Sequence, residues 1–114
     1  MTLLDADRPA RTADETPRRI GSLVTACFLL DRSRWQGGDP FDASFFFNYE
    51  DHDFGVRLRG QGHEILSVPA ARCYHAEGTD GLSLREGGTY SGVRVECLIR
   101  NRWQVVLKNY RPRT

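Results

Sequence analysis

The sequence predicts an α/β fold on three observations. Residues 22–30 (SLVTACFLL) form a nearly continuous apolar run. Two helix-period segments follow, at 50–61 and 90–110, and a second short apolar run, residues 63–68, lies between them. A strand covered on both faces reads as such a run, and strands alternating with helices argue for helices packed on a sheet. At 114 residues the chain suits one domain or half of a larger one.

Residues 1–19 are polar, alternate in charge, contain Pro9 and Pro17 and show no apolar period, so they read as a mobile leader with structure starting at Ile20. The run at 22–30 is bounded by Gly21 and Asp31. Residues 32–35 add a short helical turn before the breakers Gly37-Gly38-Asp39-Pro40. The aromatic segment 41–49 (FDASFFFNY) is expected as a loop or short extended piece. Helix 50–61 has Asn48 as its expected N-cap, three acids in its first turn and Gly62 as its stop. Strand 63–68 is interrupted by Pro69 and extended by 71–75, and residues 77–88, rich in Gly, Asp and Ser, read as an exposed loop. The last helix carries an apolar stripe of Val95, Ile99, Trp103, Val106 and Tyr110 with Leu98 beside it, and Arg94, Arg100, Gln104, Lys108 and Arg111 opposite. The stripe is expected to be core and the basic face to be solvated.

Sixteen Lys and Arg against 15 Asp and Glu give a net charge of +1, which excludes a uniformly basic nucleic-acid binder. The total conceals a separation. Residues 39–54 carry five acids and no Lys or Arg; residues 91–114 carry six bases and only Glu96. The longest uncharged run has eleven residues, too short to span a bilayer, and the N-terminus lacks a signal pattern, so a cytoplasmic protein is expected. Cys27, Cys73 and Cys97, without a CxxC pair, read as reduced, buried thiols.

The acidic cluster is the most informative segment for chemistry. At about 100° per residue Asp51 lies in line with Phe54, Gly55 and Leu58, along the apolar stripe of its helix, whereas Asp53 points away. Two readings are open: these acids favour helix initiation, or Asp51 faces a cleft. His75, ending a predicted strand ahead of a Gly-containing loop, suits metal binding, proton transfer or a structural hydrogen bond. Arg100 and Asn101 offer planar donors for phosphate oxygens, and their face also suits anionic lipid headgroups. The aromatics do not interleave with the bases, so no nucleic-acid partner is expected.

In order, these segments resemble the C-terminal half of family 2 glycosyltransferases, inverting enzymes of the GT-A fold, and most closely the rhamnosyl- and galactofuranosyl-transferase-like members. The matching pieces are 25–30 (TACFLL), Gly37-Gly38, Phe41-Asp42, 45–53 with the Glu50-Asp51 pair, 57–59 (RLR), Gly62, Val68-Pro69, Tyr74-His75, Tyr90 and Arg100-Asn101. The resemblance implies a GT-A-like C-terminal subdomain over 20–114, a mixed sheet with flanking helices and a long C-terminal helix. It implies sugar transfer from a nucleotide sugar to a glycan or lipid-linked acceptor, with Asp51 as catalytic base and Glu50 supporting it. Trp35 would line the acceptor side, Arg100 and Asn101 would bind substrate, and His75 would help hold a divalent metal, Mn²⁺ or Mg²⁺. A cytoplasmic enzyme peripheral to the inner face of the membrane is expected.

Relatives usually run GGF where Asp39-Pro40 intervenes here. The nucleotide-binding half and its Asp-x-Asp motif have no counterpart ahead of residue 20, since Asp5-Ala6-Asp7 follows no apolar strand. The donor half is therefore expected from sequence ahead of Met1 or from a partner chain, and the 114-residue chain alone is expected to be inactive. The alternative is a non-catalytic interaction module that docks to a partner protein or a membrane surface.

Overall fold

The computed structural model describes residues 15–75 and 90–110; the predicted loop 77–88 and most of the predicted leader lie outside them. The elements in order are β1 (Arg18–Arg19), a 3₁₀ turn (Ala43–Phe45), α1 (Glu50–Gly60), β2 (Leu66–Ser67) and α2 (Gly92–Asn109). Helix and strand are both present, so the fold is mixed α and β in that broad sense.

The sheet is smaller than expected. β1 and β2 pair antiparallel, with Arg18 opposite Ser67 and Arg19 opposite Leu66. The Ile20 N–H donates to Ile65 O at 2.9 Å, and Arg19 meets Glu64 at 2.5 Å. Pairing thus begins two residues before Ile20. Residues 22–30 form no strand, a correction to the expectation, and Val24 and Leu29 are exposed. An apolar run becomes a strand only against neighbouring strands, and the described residues place none beside it. Residues 71–75, expected to extend the second strand, are irregular and exposed.

Both helices form where predicted. α1 ends in a Schellman motif: Gly62 takes a φ of 82°, His63 N–H donates to Leu58 O at 3.0 Å, and Gly62 N–H donates to Arg59 O at 3.0 Å. α2 starts at Ser91, whose hydroxyl accepts from Arg94 N–H at 3.3 Å. The start of α1 differs from expectation. Its N-cap is Tyr49, in the left-handed region and with no side-chain cap bond, rather than Asn48.

Phe54, Leu58 and Ile65 form the core, with Leu23, Leu30 and Trp35 packed on it. Phe54 is its centre: Trp35 meets it edge-on at 5.3 Å and 85°, Phe41 at 5.4 Å, and Phe28 at 6.2 Å. The Trp35 indole N–H donates to Gly38 O at 2.7 Å, folding the ring back over Gly37. A Cβ at Gly37 would overlap that ring. Gly37→Ala is therefore expected to cost about 1–3 kcal/mol through displacement of Trp35, read as a lower urea midpoint at unchanged slope. A midpoint equal to wild type would mean that the ring does not sit there.

The largest correction concerns α2. Cys97, Asn101 and Val105 are its buried residues, on the face predicted to be solvated. Ile99 and Trp103, predicted core, are 61% and 64% exposed. The helix turns its polar face inward because the acidic centre of the chain lies there. Lys108 Nζ meets Asp42 Oδ2 at 2.6 Å and Asp53 Oδ2 at 3.1 Å, and Gln104 donates to Ser44 Oγ at 2.5 Å. The thiols divide likewise: Cys97 is buried, whereas Cys27 and Cys73 are exposed. The neighbouring Cys27 thiol raises the pKa of Cys73.

Candidate functional site

The segment leading into α1 is built under strain. Asp42 caps the 3₁₀ turn, its Oδ1 accepting from Ser44 N–H at 2.9 Å. The chain then passes through positive φ at Phe46 (58°), Asn48 (65°) and Tyr49 (69°). Of these only asparagine visits that region readily, and each of the others costs on the order of 1–2 kcal/mol. Asn101 holds the turn in place. Its fully buried amide Nδ2 shares its two hydrogens among Phe45 O at 2.6 Å, Phe47 O at 2.7 Å and Asn48 O at 2.8 Å. Arg100 Nε donates to Asn101 Oδ1 at 2.9 Å, which fixes the amide's orientation, and its Nη2 reaches Phe45 O at 3.2 Å.

That turn delivers three carboxylates to the first turn of α1. Glu50 is half-buried, and its Oε2 has no hydrogen-bond partner among the described residues. Burial pushes its pKa above the ordinary glutamate value; the charge of Asp51 adds to the rise and a backbone bond offsets part of it. Asp51 is half-buried, with Oδ1 accepting from His52 N–H at 2.7 Å. His52 Nδ1 lies 3.4 Å from the Ser22 hydroxyl. Glu50 and Asp51 thus form a partly accessible carboxylate pair.

Asp53 behaves in the opposite way, and the expectation that it points outward is corrected. It is fully buried, accepting from Arg57 Nε at 2.8 Å, Asn109 Nδ2 at 2.8 Å and Lys108 Nζ at 3.1 Å. Burial alone would raise its pKa, but these three donors outweigh it and hold the carboxyl below the usual range. Arg57 also donates to Pro40 O and lies over the rings of Trp35 and Phe54. Phe54, Gly55 and Leu58 face the core while Asp53 and Arg57 face α2 and residue 40, so α1 is buried on two sides.

The other candidate residues fall in different places. Trp35 packs on the core and is bound to Gly38 O. Arg100 and Asn101 meet the turn ahead of Glu50 through the bonds above, brought there by α2 across more than fifty residues of sequence. His75 is exposed at the end of a described segment. Among the described residues no group of three or more His, Cys, Asp or Glu is placed to hold a metal. Sequence reasoning missed the cluster of Asp53, Lys108 and Asn109; the opposite charges of residues 39–54 and 91–114 were the signal for it.

Neither a family model, nor a curated protein, nor a solved structure matches the chain.

Proposed function

We propose that the chain carries the acceptor and catalytic-base side of an inverting sugar transfer from a nucleotide sugar to a glycan or lipid-linked acceptor. Asp51 takes the proton of an acceptor hydroxyl as that oxygen bonds to the anomeric carbon, and the nucleotide diphosphate leaves with the electrons of the bond that breaks. Glu50 stands beside it, with a raised proton affinity suited to a hydrogen bond with the acceptor. The reading follows from the ordered segment resemblance. The observation that supports it most directly is the strained turn at 46–49, clamped by a buried amide and ending in a partly accessible carboxylate pair. Strain of this kind is held where surrounding structure over-determines it, and it clusters at functional sites.

The experiment is an amide chemical-shift titration of the chain with a panel of mono- and oligosaccharides. At least one is expected to shift the amides of residues 50–54, and Asp51→Asn is expected to weaken that binding about tenfold while leaving the remaining spectrum in place, as for loss of a charged hydrogen bond. A panel that leaves those amides unmoved would count against the reading. A docking module is the second reading, favoured by the exposed apolar face of α2.

A further inference from the structure

The outward face of α2 presents Val95, Ile99, Trp103, Val106, Leu107 and Tyr110, each at least 41% exposed and Leu107 81% exposed. At about 100° per residue they occupy one stripe along the helix, with the exposed Glu96 on the same face near its N-terminal end. Arg102 borders it on one side and Arg100 on the other, and no carboxylate pairs with either among the described residues. A shallow groove lined by Arg100, Trp103, Gln104, Leu107 and Lys108 runs along the Arg100 side. Glu96 is the one acid of α2.

We propose that this face is a docking surface for an anionic lipid bilayer, with α2 lying in the interface plane. The inference does not rest on the sugar-transfer reading. Three observations choose the occupant. The stripe carries Trp103 and Tyr110, amphipathic rings that sit at headgroup depth. Its Arg102 border has a long stem that covers apolar surface and a guanidinium that reaches lipid phosphate, whereas the Arg100 guanidinium is turned inward onto Asn101 and Phe45 O. Arg111 and Arg113 follow Tyr110 in sequence, so positive charge continues past the helix. A second copy of the chain fits less well, since a two-fold contact would set these arginine borders against each other with one Glu96 per copy to offset them. Among the described residues, the elements that pack on α2 lie on its opposite face, held by Asn101, Gln104 and Lys108. No helix of the described residues is long and apolar enough to cross a membrane, and the contact proposed is peripheral.

Co-sedimentation of the full chain with phosphatidylcholine vesicles, with and without phosphatidylglycerol, tests this. Binding is expected only with the anionic lipid and is expected to fall as salt is raised. Arg102→Glu, a substitution at an exposed position, should weaken it about tenfold or more. Ile99→Ser with Leu107→Ser should reduce it to background, with helix content by circular dichroism unchanged because both side chains already face solvent. Should that double variant unfold, Trp emission of the intact chain keeps the question decidable: vesicles should shift it to the blue, and Trp103→Phe should remove the shift. Equal binding to both vesicle types, no binding to either, or a concentration-dependent dimer that excludes vesicles would each overturn the proposal.

Discussion

Replacing Asn101 with leucine is expected to lower the stability of the folded chain by about 3 kcal/mol or more, since each buried carbonyl left without a donor costs roughly 1–3 kcal/mol. The carbonyls of Phe47 and Asn48 lose their side-chain donor, while Phe45 O keeps the Phe47 N–H at 2.6 Å and Arg100 Nη2 at 3.2 Å. They also belong to the turn whose φ values of 58°, 65° and 69° need external support. Leucine has the branching of asparagine but is larger, so no cavity opens and the loss combines missing donors with overpacking. Asn101→Asp makes the comparison sharper. It keeps the shape but sets a carboxylate among three carbonyl oxygens, and it is expected to be at least as damaging as leucine at neutral pH. Chemical denaturation checks both. An aspartate variant within about 0.5 kcal/mol of wild type would mean that the amide does not hold the turn. Arg100→Ala should cost less, because Arg100 is exposed and contributes one carbonyl contact and the orientation of the amide.

The consequence reaches the carboxylate pair. Glu50 and Asp51 follow directly on Tyr49, the last residue of the turn, and Tyr49 caps α1 without help from its side chain. Releasing the turn is therefore expected to fray the first helical turn and move both carboxylates together. The amides of residues 50–53 should lose hydrogen-exchange protection in Asn101→Leu before those near Leu58 do.

What the sequence carried and what it did not follow one physical division. Signals local to a few residues mostly held, the Asn48 cap excepted: Gly62 at the end of α1, the breakers at 37–40 and the Phe54, Gly55 and Leu58 stripe. Signals that depend on a distant partner did not. An apolar run at 22–30 says that those residues prefer burial but not that a strand stands beside them. Apolar helix faces usually belong to the core, yet α2 has two faces and the chain offers a better match for its polar one. Asp42 and Asp53 on one segment and Lys108 and Asn109 on another were visible only as opposite charge totals. Which atoms meet was not legible, because pairing is set by the turn at 46–49. Of those residues only Asn48 announces positive φ.

Replacing Asp53 with asparagine is the other large effect expected. The carboxylate is fully buried and receives Arg57, Lys108 and Asn109, so its loss leaves two cations without their shared counter-charge. Breaking a buried pair from one side costs about 3–5 kcal/mol, and the lower end applies here. Lys108 retains Asp42, and both cations keep some access to water. The pH dependence gives the sign independently. The folded-state pKa of Asp53 is depressed, so the stability it contributes is fully present above the unfolded value of about 3.9 and is lost as pH falls through the folded value. Asp42, lowered mainly by its bond to Lys108, acts in the same direction. Glu50 acts oppositely, since a raised folded pKa means that protonation favours the folded chain. Wild-type stability should therefore fall steeply below about pH 4, and Asp53→Asn should be both less stable at pH 7 and flatter across the acid range. Added salt should leave most of the difference at pH 7 intact, because Asp53 is shielded from solvent while the more exposed Lys108–Asp42 pair is screened. Urea midpoints of the two proteins at pH 7, 4 and 3 decide it: parallel curves for wild type and variant would mean that Asp53 does not carry the charge that joins α1 to α2.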